Sequence, residues 1–268
     1  MSKIVNDKYY TMPDLAKYCI NKTKEIIGED NITEYVEPSA GAGVFLDVFD
    51  DINISNYKAY DIEPEDNKNR IAKQDYLTLD LEYKKGRCVI GNPPFGTRNT
   101  LSVKFYKKSI LLGDYITFIL PISQLNNNMY MYEFDLVYSE DLGKRIYSDR
   151  KIHCCLNIYR RNPSGLNKKP NFDLKDVTLK GVSRGKSRND KVPNEYDFSI
   201  CGFGNIGKIC EYENQYCQQI YFIINNKEYK DRILELMQNT NWKELYSMTA
   251  TPKLNHWMIY KYIKEQIA

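Results

Sequence analysis

The sequence has few of the residues that bind metals or build disulfide frameworks. It contains only two histidines, His153 and His256, and its seven cysteines are an odd number with no CxxC spacing. Zinc sites and disulfide frameworks need paired cysteines or cysteine–histidine clusters. The sequence therefore predicts no metal site and no disulfide scaffold. Cys154 and Cys155 lie in an apolar run, where reduced cysteine behaves as a small buried hydrophobe.

Long apolar segments and an N-terminal leader pattern are also missing. No apolar run approaches the roughly 20 residues that cross a bilayer, and residues 1–8 are too polar for a signal peptide. We therefore expect a protein of the cytoplasm, or of the host cytoplasm if a phage or virus encodes it, with no membrane partner.

The chain also lacks a strong excess of one charge. Its net charge is only +3, and 42% hydrophobic with 27% charged residues is typical of a soluble globular protein. A chain of 268 residues can bury one good-sized core, which favours one larger domain with a smaller appendage. We expect these parts at residues 1–160 and 161–268.

The most informative stretch present is Asn92-Pro93-Pro94-Phe95. The apolar run 87–91 predicts a strand buried on both faces, which the prolines end. The Asn92 amide oxygen and the Pro93 carbonyl can each accept one hydrogen of an exocyclic amino group, and the Phe95 ring offers a stacking face. Two fixed acceptors draw such a nitrogen out of conjugation and stabilise the positive charge that grows during alkylation. The stretch therefore predicts a catalytic loop.

A second stretch has the strand, glycine turn and helix order of nucleotide-binding α/β units. Residues 32–37 predict a strand, residues 38–43 form the turn, and a helix begins near Val44. Gly41 and Gly43 let the backbone turn tightly and approach a ligand, and the helix N-terminus contributes free amides.

An acidic residue follows the next predicted strand, which starts at Tyr57. A carboxylate at that position can accept both ribose hydroxyls of a bound nucleoside. Asp61 is the first choice for this contact, and Glu63 is the alternative.

Taken in order, these stretches resemble the S-adenosylmethionine-dependent amino methyltransferases, above all those that act on adenine N6. Residues 92–95 match the family motif [Asn/Asp/Ser]-Pro-Pro-[Tyr/Phe], and residues 37–43 match its glycine-turn motif. Tyr10 and Thr11 are similar to part of a Tyr-Thr-Pro element that covers the methionine end of the cofactor, although Met12 is inserted before the proline. The resemblance covers residues 9–125, in the motif order called gamma.

The resemblance implies a Rossmann-like, doubly wound α/β methyltransferase sheet. A hairpin near residues 152–159 would close the sheet, and a small C-terminal α+β target-recognition region would follow. S-adenosylmethionine is the implied cofactor, with Asp75 accepting from its adenine amino group and Tyr76 packing on the purine. The implied cofactor-binding residues are Tyr10, Thr11, Glu37, Pro38, Ser39, Gly41, Gly43, Asp61, Ile62, Asp75, Tyr76 and Asn92. The implied catalytic residues are Asn92, Pro93, Pro94 and Phe95.

Basic residues are concentrated in the middle of the chain. Residues 150–191 contain twelve Lys or Arg against three Asp. Residues 180–188 predict a mobile basic loop suited to phosphate contacts, in the region where target recognition belongs. The expected nucleic-acid contacts are Arg98, Lys180, Arg184, Lys186 and Arg188.

The C-terminal part has the pattern of a small β-rich appendage. Short alternating runs at residues 198–202, 206–210 and 220–224 predict strands. Helices are predicted around residues 230–237 and 254–267.

The expected function is methylation of the N6 amino group of adenine in DNA, with the target base flipped out of the duplex. An RNA adenine-N6 methyltransferase is the alternative, since Asn92 to Thr97 is also similar to the loop of structured-RNA methyltransferases. A protein glutamine methyltransferase and a catalytically silent methyltransferase-fold subunit are more distant alternatives. Monomer and homodimer both remain open, as does a restriction partner.

Overall fold

The computed structural model describes residues 10–147, 150–185, 188–189, 191–246 and 252–267. By its internal contacts the chain divides into two compact units, Met1–Lys169 and Pro170–Ala268. The boundary expected after residue 160, and the roles expected for the two parts, stay predictions.

The first unit alternates strands and helices. Its helices are α1 (Pro13–Ile27), α2 (Val44–Asp51) and α3 (Thr100–Ser109). Its strands are β1 (Glu34–Glu37), β2 (Tyr57–Asp61), β3 (Ala72–Lys73), β4 (Arg87–Gly91), β5 (Tyr115–Pro121), β6 (Asp135–Tyr147) and β7 (Arg150–Arg160). Single 3-10 turns lie at Glu29–Asn31, Tyr76–Thr78, Thr97–Asn99 and Ile122–Gln124.

The seven strands form one sheet in the order β3-β2-β1-β4-β5-β7-β6. Strands β1 to β5 are parallel, whereas β7 runs antiparallel to β5 and pairs with β6 as a hairpin. The strand order reverses between β1 and β4, as in doubly wound folds. The predicted Rossmann-like α/β sheet and its closing hairpin are therefore confirmed.

Helices cover both faces of this sheet. Ile20 of α1 and Phe49 of α2 are fully buried in one apolar cluster, while Phe105 and Tyr106 of α3 belong to a second cluster. Every residue of β4 is buried, as expected for a strand covered on both sides. Residues 92–95 therefore follow a central strand that is covered on both sides.

The second unit combines a small sheet with three helices. Its strands are β8 (Val177–Gly185), β9 (Arg188–Asn189), β10 (Phe198–Cys201) and β11 (Gln218–Ile224), in the order β10-β11-β8-β9. A turn at Lys227–Tyr229 leads to α4 (Lys230–Asn239), α5 (Trp242–Leu245) and α6 (His256–Ile267). None of the helices in the described residues of either unit is long and apolar enough to cross a membrane.

The prediction of a loop over residues 180–188 is wrong for the described part of that segment. Residues from Lys180 to Gly185 belong to β8, whose ladder with β11 runs from Val177↔Ile224 to Ser183↔Gln218. Apolar Leu179 and Val182 are buried there, and this burial favours the strand over a solvated loop. Lys186 lies outside the described residues.

The strand predicted at residues 206–210 is also wrong. Only Ile209 forms a bridge, to Ile200, and a turn occupies the start of the segment. Gly207 has φ +82°, a left-handed conformation that cannot continue an extended strand.

Candidate functional site

A cavity of about 360 Å³ lies at the carboxyl ends of the strands of the first unit. Doubly wound sheets bind ligands at this edge, where the strand order reverses. Its volume falls in the range of small-molecule sites, roughly 300–1,000 Å³. The lining residues that the sequence predicted are Tyr10, Thr11, Glu37, Pro38, Ser39, Gly41, Asp61, Ile62, Asp75, Tyr76, Asn92 and Pro94.

Gly43, Pro93 and Phe95 were predicted for the site but do not belong to the lining. Gly43 precedes α2 with φ +83°, and a Cβ there would lie 3.0 Å from the Arg70 guanidinium. Arg70 binds Asp47 of α2 and Asp66. Gly43 therefore allows the tight turn that begins α2 and lies outside the cavity lining.

Asp61 holds the glycine turn in place. One of its carboxylate oxygens accepts from the Gly41 amide at 2.8 Å, and the other accepts from the Glu63 amide at 2.8 Å. The carboxylate at the end of β2 is therefore fixed beside the turn that follows β1. Glu63, the alternative acid, is exposed and is not part of the lining.

Glu37, at the end of β1, is only 3% exposed although it lines the cavity. Its Oε2 has no hydrogen-bond partner among the described residues. Burial raises the pKa of Glu37 well above its usual range; the charge of Asp61 adds to this, and Arg70 opposes it. A buried carboxyl oxygen with spare acceptor capacity suits a donor group of a ligand.

The 92–95 loop leaves β4 and is tied to the rest of the cavity wall. Asn92 Nδ2 donates to Thr11 Oγ1 at 3.2 Å, and the Asn92 carbonyl accepts from Ser39 Oγ at 3.3 Å. The loop thus contacts both the segment before α1 and the glycine turn.

The far end of the loop is anchored to α3. The Phe95 carbonyl accepts from the amides of Leu101 and Ser102 at 3.2 and 3.4 Å. The Phe95 ring is 9% exposed and belongs to the apolar cluster on the α1 side of the sheet. Its predicted role as a stacking platform stays a prediction and requires the ring to turn outward.

Asp75 and Tyr76 follow β3. The Asp75 carboxylate caps a 3-10 turn by accepting from the Leu77 amide at 2.9 Å. The Tyr76 ring is 1% exposed and stacks on Phe105, and its hydroxyl lies 2.9 Å from Ser109 Oγ. Tyr76 thus supports the cavity wall mainly from within the core.

Tyr10 lies over the glycine turn. Its ring carbon Cε1 would be 3.8 Å from a Cβ built on Gly41, and its hydroxyl donates to the Glu65 carboxylate. The segment before α1 is therefore held to the loop after β2 as well as to the 92–95 loop.

The predicted nucleic-acid contacts lie in both units. Arg98 is exposed just beyond the 92–95 loop, in a left-handed conformation with φ +56°. Lys180 and Arg184 are exposed on β8, and Arg184 donates to the Asn214 carbonyl at 3.0 Å. Arg188 belongs to β9, and nothing is described of its side chain.

Sequence reasoning missed several lining residues, namely Ala40, Ala42, Val44, Phe45, Gln74, Leu77, Gly96, Leu101 and Phe105. Most are neighbours of motif residues, so adjacency could have found them. Leu101 and Phe105 lie four residues apart on α3 and share one helix face, which is a signal visible in the sequence.

The described residues contain no group of three or more His, Cys, Asp or Glu arranged to hold a metal ion. No protein-family model and no curated protein matches the chain.

Several solved structures resemble the fold at low identity. One is a provisionally assigned RNA methyltransferase from Pyrococcus horikoshii, with 14% identity, a TM-score of 0.47, and coverage of 60% of this chain and 90% of that one. Another is a type I restriction-modification methyltransferase subunit from Streptococcus thermophilus, with 14% identity, a TM-score of 0.43 and coverage of 68% and 50%. A third is magnesium protoporphyrin IX methyltransferase from Synechocystis with bound S-adenosylmethionine, with 11% identity, a TM-score of 0.41 and coverage of 55% and 80%. All three are described as methyltransferases.

Proposed function

We propose that this protein is an S-adenosylmethionine-dependent methyltransferase that modifies the N6 amino group of adenine in DNA. One observation carries the proposal. A single cavity is lined by the glycine turn after β1, by Asp61 at the end of β2 and by Asn92 and Pro94 after β4. The elements that we assign to nucleoside binding and to acceptance of an amino group thus line one cavity.

The residues present fit S-adenosylmethionine. Asp61 and Asp75 offer carboxylates to hydroxyl and amino donors, and Ile62 and Leu77 give the same cavity apolar walls. The unpartnered Glu37 Oε2 can accept from a further donor of the cofactor. When bound, the cofactor supplies a methyl group whose carbon–sulfur bond breaks as the nitrogen–carbon bond forms, leaving S-adenosylhomocysteine and a proton released from nitrogen.

The 92–95 loop then acts on the target amino group. The Asn92 amide oxygen accepts one of its hydrogens. The carbonyl of Pro93, which lies between the lining residues Asn92 and Pro94, accepts the other, and both oxygens stabilise the positive charge that develops on nitrogen. No strong general base is required, because the nitrogen loses its proton after the methyl group has arrived. The adenine leaves the duplex to reach the loop, since a stacked base keeps its amino group away from the cofactor.

Basic residues support a nucleic-acid substrate. Exposed Arg98 adjoins the catalytic loop, and exposed Lys180 and Arg184 belong to the second unit, which we assign to target recognition. Lys186 and Arg188 are part of the same proposal.

Asn92→Ala tests the acceptor role. We expect turnover to fall by about 10²–10³-fold, the usual effect of removing one group that stabilises transition-state charge. The dissociation constant of S-adenosylmethionine, measured calorimetrically, should change little. Asn226→Ala is the matched control, since Asn226 is also partly exposed but its side chain caps the turn at Lys227–Tyr229 and lies outside the cavity lining. Normal turnover of Asn92→Ala would refute the assignment.

A further inference from the structure

The side chain and the backbone of Asn92 are held by two different parts of the cavity wall. Its Nδ2 donates to Thr11 Oγ1 at 3.2 Å, and its carbonyl accepts from Ser39 Oγ at 3.3 Å. Thr11 is only 7% exposed, so water competes little for its hydroxyl. In this contact the Thr11 hydroxyl accepts from the amide, so the nitrogen end of the amide is turned to Thr11.

The orientation of this amide decides whether the loop can work. An asparagine amide has an acceptor end and a donor end, and rotation by half a turn exchanges them. The target amino group brings two hydrogens and needs acceptors. With Nδ2 turned to Thr11, the amide oxygen faces away from Thr11 and is available to the substrate. In the reversed orientation, the amide NH₂ of Asn92 would face the amino hydrogens of the substrate, and neither group could accept.

We propose that Thr11 is a positioning residue that fixes the Asn92 amide with its oxygen toward the substrate nitrogen. The inference rests on the proposed function and adds a role for Thr11 beyond cofactor contact. The segment around Thr11 suits this role because it is anchored on both sides. Tyr10 binds Glu65, and α1 begins at Pro13 with Leu15 and Ala16 in the core.

Thr11→Val and Thr11→Ser separate positioning from cofactor binding. Valine keeps the shape of threonine but removes the hydroxyl, and serine keeps the hydroxyl. We expect Thr11→Val to lower kcat by about 10- to 100-fold, as misplaced catalytic groups do. The calorimetric Kd for S-adenosylmethionine should rise far less than kcat falls, and Thr11→Ser should restore most of kcat. Thr23→Val is the matched control, because Thr23 is a buried threonine of α1 that binds Cys19 and Thr117 outside the cavity lining.

A second background makes the test specific for amide orientation. Aspartate at position 92 has two acceptor oxygens, so it needs no fixed orientation. Thr11→Val should therefore cost much less kcat in an Asn92→Asp enzyme than in the wild type.

Three results would overturn the inference. They are an unchanged kcat in Thr11→Val, an effect of Thr11→Val on the cofactor Kd alone, and an equal loss of kcat on Thr11→Val in the wild type and in the Asn92→Asp enzyme. If the wild type itself transfers no methyl group to nucleic acid, it is the proposed function that fails.

Discussion

Glu37 lines the candidate site, but burial of its carboxyl group is unfavourable for the stability of the fold. Its carboxyl group is buried at the end of β1, with Oε2 unpartnered among the described residues. Burial of a carboxyl group favours its protonated form, and the raised pKa of Glu37 follows from that. A residue chosen for stability alone would be apolar, so we interpret Glu37 as retained for ligand binding.

The pH dependence of unfolding tests this interpretation. The folded protein holds the Glu37 proton more tightly than the unfolded chain, where a glutamate titrates near about 4.3. The free energy of unfolding contributed by this group therefore falls as the pH rises from that value through the raised folded pKa. Glu37→Gln removes the ionisable carboxyl group, so without cofactor the wild type should lose stability relative to the variant as the pH increases.

Urea unfolding midpoints over a series of pH values would measure the difference. The exposed Glu63→Gln serves as the control and should follow the wild type. Parallel profiles for Glu37→Gln and the wild type would contradict the account. We also expect Glu37→Gln to bind S-adenosylmethionine more weakly in calorimetry.

At the scale of elements, β1 and β4 are joined at their first residues by a buried ion pair. Glu34 and Arg87 are register partners, and Arg87 Nε donates to Glu34 Oε1 at 2.5 Å. Burial alone would raise the pKa of Glu34, but the hydrogen bonds from Arg87 and Lys84 outweigh it and lower that pKa. Arg87 also donates to the Leu112 carbonyl at 2.8 Å. The pair fixes the two strands whose opposite ends build the cavity.

Arg87→Ala should destabilise the fold by about 3–5 kcal/mol, because it leaves the Glu34 carboxylate buried and unpaired. Denaturant unfolding monitored by circular dichroism would measure the loss. Lys84 also pairs with Glu34, at 3.2 Å, but its side chain is 42% exposed. Lys84→Ala should therefore cost only about 0.2–1 kcal/mol. Equal losses in the two variants would show that the buried pair has no special role.

Local patterns predicted the elements that build the site and missed those that depend on tertiary pairing. The run before Asn92 and the run 115–121 are buried strands, as their apolar β-branched composition indicates. The segment 180–185 looked like a basic loop, yet β11 pairs with it and makes it a strand. Residues 206–210 had apolar side chains but carry a left-handed glycine beside Trp242.

At the scale of the whole molecule, the order of the motifs predicted the sheet and most of the cavity lining. Parallel strands bring their carboxyl ends to one edge, so loops far apart in the chain meet there. The spacing of Leu101 and Phe105 places them on one face of α3, but that this face lines the cavity depends on how α3 docks on the sheet. The roles of the site residues, and the assignment of the second unit to recognition, stay predictions.

The salt dependence of DNA binding tests the assignment of the second unit. If Lys180 and Arg184 neutralise phosphates, removing either side chain should reduce the slope of log K against log salt by about 0.9. The double variant Lys180→Ala/Arg184→Ala should therefore have a shallower slope. Fluorescence anisotropy would measure the affinity for a DNA duplex at each salt concentration. Lys264→Ala removes an exposed charge from α6 and is the control. An unchanged slope in the double variant would place the DNA contacts elsewhere.

The most direct test of the central claim is transfer of labelled methyl groups from S-adenosylmethionine to duplex DNA and, in parallel, to structured RNA, with nucleoside analysis of the products. We predict N6-methyladenine in the DNA, lost in Asn92→Ala and retained in Asn226→Ala. Label found only in RNA would keep the chemistry of the 92–95 loop but contradict the substrate. Absence of label from both nucleic acids, with the cofactor shown to bind, would contradict the proposed function.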